Sequence, residues 1–295
     1  MKVHTLTAIA GGDACNAKCP YCVSEMTPKC GVGPKSNGVN LRNFKIACAF
    51  AERCGVSTLL ITGKGEPLLY LADVNKYLAQ AQGQFPFLEL QTNGILLIPG
   101  ESNGVSDAVL REWYDLGLTT VSVSIAHYAV GMNAAVFRPD KPYDFWAAVE
   151  RLHTAGFAVR VNCTLLHGFV DTVEEVRSLK DVCQLRGVEQ LTVREVSRPA
   201  KAHLGPGKQA VSAWNSAGAL STEGLCERVL AENKAGLVEL LDLPHGGKVL
   251  DWGGQNICLA NCLTETKDPE DIRQLIYFPD GRLRYSWNHA GAIIL

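Results

Sequence analysis

Residues 15–22 read Cys15-Asn16-Ala17-Lys18-Cys19-Pro20-Tyr21-Cys22, and this stretch decides how the rest of the chain is interpreted. Three residues separate the first two cysteines and two residues separate the last two. A loop of this length can place three thiols around one small inorganic centre. A [4Fe-4S] cluster usually binds four protein thiolates, so three local cysteines leave one iron without a protein ligand. An open coordination position is where a metal centre carries out chemistry, by analogy with catalytic zinc sites.

A structural zinc site is the alternative interpretation, with a more distant cysteine such as Cys30 as the fourth ligand. Structural zinc sites usually show paired cysteines with two residues between them. Only Cys19 and Cys22 have that spacing here. The spacing therefore favours an iron–sulfur cluster and leaves the zinc site open as the alternative.

The three-cysteine stretch resembles the signature of the radical S-adenosylmethionine (SAM) superfamily, including the aromatic residue before the last cysteine. The resemblance implies that Cys15, Cys19 and Cys22 bind a [4Fe-4S] cluster and that SAM chelates the fourth iron. It also implies that one electron cleaves SAM to methionine and a 5′-deoxyadenosyl radical, which abstracts hydrogen from a substrate. Tyr21 would then lie against the adenine of SAM.

Composition excludes several other classes of protein. The chain has 295 residues, 28 basic and 30 acidic side chains, and 47% hydrophobic residues. The balanced charge indicates neither a nucleic-acid surface nor a membrane surface. We find no apolar run of about eighteen residues, which a membrane span needs, and no secretory pattern at the start. Eleven cysteines without a signal peptide predict a cytoplasmic protein with reduced thiols.

Apolar strands alternate with amphipathic helices up to about residue 195, which indicates parallel strands joined by helical crossovers. The fold prediction is α/β, a partial (β/α)6 TIM-like barrel over residues 1–199, the architecture of the radical SAM core. Residues 200–295 form a predicted C-terminal extension that closes the open side of the barrel and contributes to the substrate site. The predicted strands cover residues 5–10, 57–61, 87–91, 119–125, 158–165 and 189–195. The predicted helices cover residues 40–54, 71–82, 106–116, 143–155, 172–186 and 222–234.

A second motif, Gly63-Lys64-Gly65-Glu66-Pro67, follows the second predicted strand. Parallel barrels place their sites at the carboxyl ends of strands, and glycines allow close backbone approach. An ordinary glycine turn before a helix is the alternative. The motif resembles the Gly-Gly-Glu-Pro motif of radical SAM proteins, whose backbone binds the amino group of SAM. The resemblance implies SAM contacts at Gly63, Gly65 and Glu66, while Lys64 stands where a second glycine is usual.

Polar residues also end the next strands. Thr92-Asn93-Gly94 follows the third strand, where family members often carry the same tripeptide. Alternation puts Ser122 and Ser124 on one face of the fourth strand, and Asn162 on the corresponding face of the fifth. The resemblance implies that Ser124 and Asn162 contact SAM. A hydroxyl bonded to neighbouring backbone is the alternative for Ser124.

The sixth strand ends in Val193-Arg194-Glu195, and two charges after a buried strand indicate a site or an ion pair. The stretch resembles the branch that includes the molybdenum-cofactor GTP cyclase and the peptide-modifying maturases. Arg194 is therefore a candidate for binding a carboxylate or phosphate of the cofactor or substrate. Cys258 and Cys262 in the extension raise the question of a second cluster, with Cys226 and Cys30 as distant further ligands.

Together these motifs predict a radical SAM enzyme that acts on a small polar or nucleotide-like molecule, with no membrane or nucleic-acid partner. A peptide-modifying maturase is the alternative within the family, and a non-catalytic zinc or iron–sulfur protein is the alternative outside it. The resemblance also implies a flavodoxin-like or ferredoxin-like electron donor.

Overall fold

The computed structural model describes residues 2–98, 104–141, 143–196, 213, 222–244, 246–261 and 271–295. One mixed sheet of eleven strands organises this part of the chain, with helices packed against it. No helix among these residues is both long and apolar enough to cross a lipid bilayer.

The sheet is built from strands in the spatial order β11-β10-β1-β2-β3-β4-β5-β6-β9-β8-β7. Neighbours from β10 through β1–β6 to β9 are parallel, whereas β11, β8 and β7 pair in antiparallel fashion. No pairing among the described strands joins the two edges, so the sheet is open. The strands are β1 Lys2–Ile9, β2 Thr58–Thr62, β3 Phe87–Thr92, β4 Thr120–Ile125, β5 Ala158–Leu165, β6 Gln190–Glu195, β7 Leu237–Asp242, β8 Lys248–Trp252, β9 Gln255–Asn261, β10 Asp271–Tyr277 and β11 Leu283–Arg284.

The helices cross between successive strands, as the alternation of the sequence predicts. Asn40 and Ser106 cap their helices as expected, because each side chain accepts a hydrogen bond from a backbone N–H of the first turn. Gly55 and Gly117 follow the helix ends in the left-handed conformation. The helices are α1 Leu41–Arg53, α2 Leu71–Ala81, α3 Asp107–Asp115, α4 Val130–Phe137, α5 Phe145–Thr154, α6 Val173–Leu185 and α7 Leu225–Glu232. The predicted α/β partial barrel is confirmed.

The extension supplies strands to both edges of the predicted six-stranded core. β9 pairs in parallel with β6, and β10 pairs in parallel with β1. The turn signal Pro279-Asp280-Gly281 joins a hairpin, since β10 and β11 pair across it in antiparallel fashion. The boundary at residue 199, the irregular connection predicted over residues 201–217 (apart from residue 213) and Cys262 lie outside the described residues. The division into residues 1–199 and 200–295 therefore stays a prediction.

The two faces of the sheet differ in chemistry. On β4, Val121, Val123 and Ile125 are fully buried in the main hydrophobic cluster, which they share with the helices. Ser122 and Ser124 alternate with them and occupy the opposite, inner face. Trp113 of α3 anchors the helical layer: it is fully buried, and its indole N–H donates to Asn75 Oδ1 at 2.6 Å.

Replacing Trp113 with Ala should lower the free energy of unfolding by about 3–5 kcal/mol, because it leaves a large cavity beneath the sheet. Chemical denaturation of the two proteins measures this difference. Leu185→Ala is the matched control, since Leu185 is 85% exposed. A loss at Trp113 no larger than that at Leu185 would contradict the described core.

Candidate cofactor site at the carboxyl end of the sheet

The predicted site residues lie on loops that leave the parallel strands at one edge. The cysteine stretch follows β1, the glycine motif follows β2, and Thr92-Asn93-Gly94 ends β3. Ser124, Asn162 and Arg194 lie near the ends of β4, β5 and β6. Because the carboxyl ends of all the parallel strands lie at the same end of the sheet, the fold brings all of these segments together.

The three cysteine thiols lie close enough to influence each other's ionisation. Cys19 is half-buried, and desolvation followed by the charges of Cys22 and Cys15 raises the pKa of its thiol to about 12. Cys15 is exposed as a residue, yet desolvation of its sulfur, with a smaller contribution from Cys22, raises its pKa to about 11. A metal centre would reverse this, because metal ligation favours the thiolate.

The donor set fits a cluster better than a single metal ion. Within the described ranges, no three His, Cys, Asp or Glu side chains are arranged around one metal position, as a zinc ion needs. In a [4Fe-4S] cluster each cysteine binds a different iron, so the sulfurs need not converge on one point. Cys30 packs in an apolar cluster with Ile9 and Phe278. The described arrangement of thiols is therefore compatible with a [4Fe-4S] cluster.

Two donors already point at the first cysteine. The backbone N–H of Ala17 lies 3.4 Å from Cys15 Sγ, and Asn93 Nδ2 lies 3.8 Å from the same sulfur. Both groups would stabilise a thiolate ligand there. Asn93 also donates from Nδ2 to Asn16 Oδ1 at 2.7 Å, so it links the end of β3 to the cysteine loop.

Gly65 allows two loops to touch through their backbones. The N–H of Glu66 donates to Ala14 O at 2.9 Å. A Cβ on Gly65 would lie 2.0 Å from the same carbonyl oxygen, and a Cβ on Gly63 would lie 2.8 Å from Gly65 O. The glycines thus allow the backbone of the glycine motif to pack directly against the backbone of the cysteine loop. The expected close approach to a ligand stays a prediction.

Glu66 is buried, at 2% exposure, and both of its carboxylate oxygens are engaged within the protein. Oε1 accepts from Leu68 N at 3.0 Å and Thr92 Oγ1 at 2.6 Å, and Oε2 accepts from Asn93 N at 2.9 Å. Burial raises the pKa of Glu66 to about 6, and the same three hydrogen bonds oppose this rise. Glu66 therefore ties the glycine motif to the end of β3. Its predicted contact with SAM stays a prediction.

Tyr21 turns toward the end of β5. Its hydroxyl shares a hydrogen bond with the side chain of Thr164, and the thiols of Cys19 and Cys163 lie near enough to affect its ionisation. Desolvation, the largest cause, and these two thiols raise the pKa of Tyr21 well above its usual value. Its predicted place against the adenine of SAM is not tested by these contacts.

The inner face of the sheet carries polar atoms that have no partner. Ser122 Oγ, Asn162 Oδ1 and Asn16 Nδ2 are three of the five buried side-chain atoms without a hydrogen bond in the described part of the chain. Ser124 and Asn162 are direct neighbours across β4 and β5. Buried polar groups normally have partners, so a bound ligand with both donors and acceptors fits this face.

Two arginines on the inner face have different surroundings. Arg160 pairs with Glu89 and also donates from Nε to Gln190 Oε1 at 2.8 Å. Arg194 is half-buried two layers closer to the carboxyl end of the sheet, and no hydrogen bond or ion pair engages it within the described ranges. Its charge lies near the Cys258 thiol and lowers the pKa of that thiol against the larger effect of burial.

Sequence reasoning missed the contribution of α4. The N–H of Lys18 in the cysteine loop donates to Phe137 O at 2.7 Å, at the end of this helix. Asn133 accepts from Ala126 N at 2.7 Å and donates to the Tyr143 hydroxyl at 3.0 Å. Burial, followed by smaller effects of Cys19 and Glu66, raises the pKa of Tyr143, so its hydroxyl lies near the cysteine site. The uniformly apolar helix gave no amphipathic signal.

Cys226 and Cys258 of the extension lie close enough for the charge of Cys258 to affect the Cys226 thiol. The N–H of Cys226 donates to Glu195 Oε1 at 2.7 Å. Burial is the main cause that raises the pKa of the Cys226 thiol. Whether Cys258 and Cys262 bind a second cluster stays untested, since Cys262 is outside the described residues.

Comparison with known proteins identifies a protein family that matches this sequence. The family model of the Radical SAM superfamily matches residues 9–181. A GTP 3',8-cyclase of Vibrio cholerae is 31% identical over 157 residues, which cover 52% of this chain and 43% of the cyclase. The match thus spans less than half the length of that curated relative.

Solved structures share the fold at low sequence identity. Streptococcus suis SuiB bound to S-adenosylmethionine has a TM-score of 0.58 at 12% identity, covering 96% of this chain and 60% of SuiB. The protein anSMEcpe, solved with bound AdoMet, has a TM-score of 0.56 at 11% identity, covering 96% of this chain and 74% of its own. The family uses a [4Fe-4S] cluster and SAM. With the family model covering more than half of its residues, the chain belongs to the radical SAM superfamily.

Proposed function

We propose that this protein cleaves SAM reductively and uses the resulting 5′-deoxyadenosyl radical to abstract hydrogen from a small polar or nucleotide-like substrate. The observation that carries the proposal is the junction of three motifs: Gly65, Glu66 and Asn93 join the loops after β2 and β3 to the cysteine loop. When bound, the cluster supplies the electron that breaks the carbon–sulfur bond of SAM.

The chain's own residues then bind and orient the reactants. Cys15, Cys19 and Cys22 hold the cluster, and Glu66 holds the glycine motif in a fixed shape beside it. Gly63, Gly65, Ser124, Asn162 and Tyr21 are the proposed SAM contacts. Asn162 Oδ1 and Ser122 Oγ are buried acceptors in need of donors, which the hydroxyl and amino groups of SAM or substrate can provide.

The charge of the inner face supports an anionic substrate. Arg160 is neutralised by Glu89, whereas Arg194 has no acidic partner among the described residues. A half-buried guanidinium that has no hydrogen-bond or ion-pair partner among the described residues is well placed to bind a carboxylate or phosphate in two parallel hydrogen bonds. Arg194 is therefore our candidate residue for binding the anionic group of a small substrate or of SAM. We further propose a flavodoxin-like or ferredoxin-like electron donor and a cytoplasmic location.

Replacing Cys15, Cys19 or Cys22 with Ala should abolish formation of 5′-deoxyadenosine, because the cluster loses a ligand. Mass spectrometry detects the product after anaerobic reconstitution with iron and sulfide, reduction by dithionite and addition of SAM. Cys54→Ala, at the end of α1, is the control and should retain cleavage. A triple variant that still makes 5′-deoxyadenosine would falsify the assignment of the cluster ligands. If elemental analysis finds zinc in place of iron, the structural zinc interpretation is favoured instead.

Replacing Glu66 with Ala should weaken SAM binding and destabilise the protein by about 1–3 kcal/mol for each buried donor that loses its acceptor. Calorimetry gives SAM affinity, and denaturant titration gives the free energy of unfolding. Glu150→Ala, at an exposed ion pair with Arg186, should change neither by more than about 1 kcal/mol. Unchanged SAM affinity in the Glu66 variant would argue against its organising role.

Replacing Arg194 with Met should weaken binding of an anionic substrate at least about tenfold, or about 1.4 kcal/mol. The probes are GTP, ATP and small carboxylates, titrated into the SAM-bound protein by calorimetry. Arg160→Met is not a suitable control, because it would leave the buried Glu89 without its ion-pair partner. Arg53→Met, at the end of α1, is the control instead. If a bound peptide co-purifies and no small anion binds, the peptide-modifying alternative is favoured.

A further inference from the structure

Lys64 stands where the family motif usually has a glycine, and its side chain is buried at 5% exposure. The neighbouring Gly63 and Gly65 are packed so tightly that a Cβ on either would collide with backbone atoms. Lys64 is therefore the one position at the centre of this motif where a side chain extends out of the packed backbone. The contacts of the Lys64 side chain therefore determine the structural effect of having lysine instead of glycine at this position.

The ammonium group of Lys64 reaches two other segments. Nζ donates a hydrogen bond to Thr27 Oγ1, in the part of the cysteine loop that follows Cys22. It also lies 5.3 Å from the centroid of the Trp287 ring. A cation over the face of a tryptophan is attracted by the ring, and the attraction is stronger when water is excluded.

Trp287 belongs to residues 278–295, here called the C-terminal segment, which packs on the same part of the cysteine loop. Its ring meets Phe278 edge-on at 5.8 Å. Trp287 and Phe278 share an apolar cluster with Cys30 and Val32. A Cβ on Gly31 would lie 2.7 Å from Asp280 Cβ, so this turn of the loop fits closely against the segment.

We propose that Lys64 is a positioning residue that couples the C-terminal segment to the SAM-binding loop. Through Lys64, Trp287 and Thr27 hold the glycine motif in its binding shape, and SAM bound at that motif in turn fixes the C-terminal segment. The inference rests on the proposed binding of SAM at residues 63–66 and goes beyond it by assigning a role to a segment outside the family match. The coupling must be reciprocal: the effect of the C-terminal segment on SAM binding and the effect of SAM on the segment are the same coupling free energy.

A double-mutant cycle tests this coupling with Lys64→Met, Trp287→Leu and the double variant. Calorimetry measures SAM affinity on the anaerobically reconstituted proteins, and iron content confirms that each retains its cluster. We expect each single variant to bind SAM about tenfold more weakly, or about 1.4 kcal/mol. The double variant should be no weaker than either single one, because both remove the same contact. Lys64→Arg, which keeps the cation, should recover most of the affinity.

The chain offers a matched control pair. Lys180 Nζ lies 5.8 Å from the ring centroid of Trp252, and both residues are buried, away from the glycine motif. Lys180→Met and Trp252→Leu should leave SAM affinity unchanged. If a Lys64→Met protein loses its cluster, Lys64→Gln, which lacks the cation but keeps a hydrogen-bond donor for Thr27, completes the cycle with Trp287→Leu.

Three outcomes would overturn the coupling: unchanged affinity in the single variants, independent losses that reach about a hundredfold in the double variant, or equal losses in the control pair. These outcomes differ from failure of the proposed function, in which the unaltered protein itself does not bind SAM. A second readout is tryptophan emission. Its change on adding SAM should disappear in Trp287→Leu and in Lys64→Met, and its persistence in both would contradict the inference.

Discussion

The carboxylate of Glu66 lies inside the protein and accepts hydrogen bonds from Leu68 N, Thr92 Oγ1 and Asn93 N. A buried charge is tolerated only when it is fully hydrogen-bonded, so these contacts fix the ends of β2 and β3 relative to each other. The N–H of Glu66 extends the same constraint to Ala14 and the cysteine loop. The site is therefore largely shaped before any ligand arrives, which lowers the ordering cost of binding.

The strands and their order along the core were predictable because each is a short apolar or alternating run between glycine and capping signals. Asn40 and Ser106 revealed their helix starts through side chains that accept from the first turn. Helix α4 was not predictable, since Val130–Phe137 is apolar on nearly all sides and Ala129 offers no capping side chain. Local pattern thus identified the scaffold but not the helix that clamps the cysteine loop.

For the site, motif order correctly identified which strand ends come together, because the carboxyl edge of a parallel sheet collects them. It did not show what each side chain contacts. The sequence placed Thr92 and Asn93 after the third strand without any contact, yet in the structure both donate hydrogen bonds to Glu66 and Asn93 also donates to Asn16. The interaction of Lys64 with Trp287 joins residues more than two hundred positions apart, and no local pattern encodes such a pair.

The parallel pairing of β1 with β10 has a consequence for how the chain folds during synthesis. Lys2 lies opposite Asp271, so one edge of β1 stays unpaired until the residues around Asp271 have been synthesised. Contacts of such long range form slowly, because a large loop must close first. The cysteine loop begins directly after β1, whereas Ile276 and Phe278, which pack with Ile9 and Cys30, are synthesised more than two hundred residues later. Until then the cysteine loop of a nascent chain lacks this part of its apolar cover.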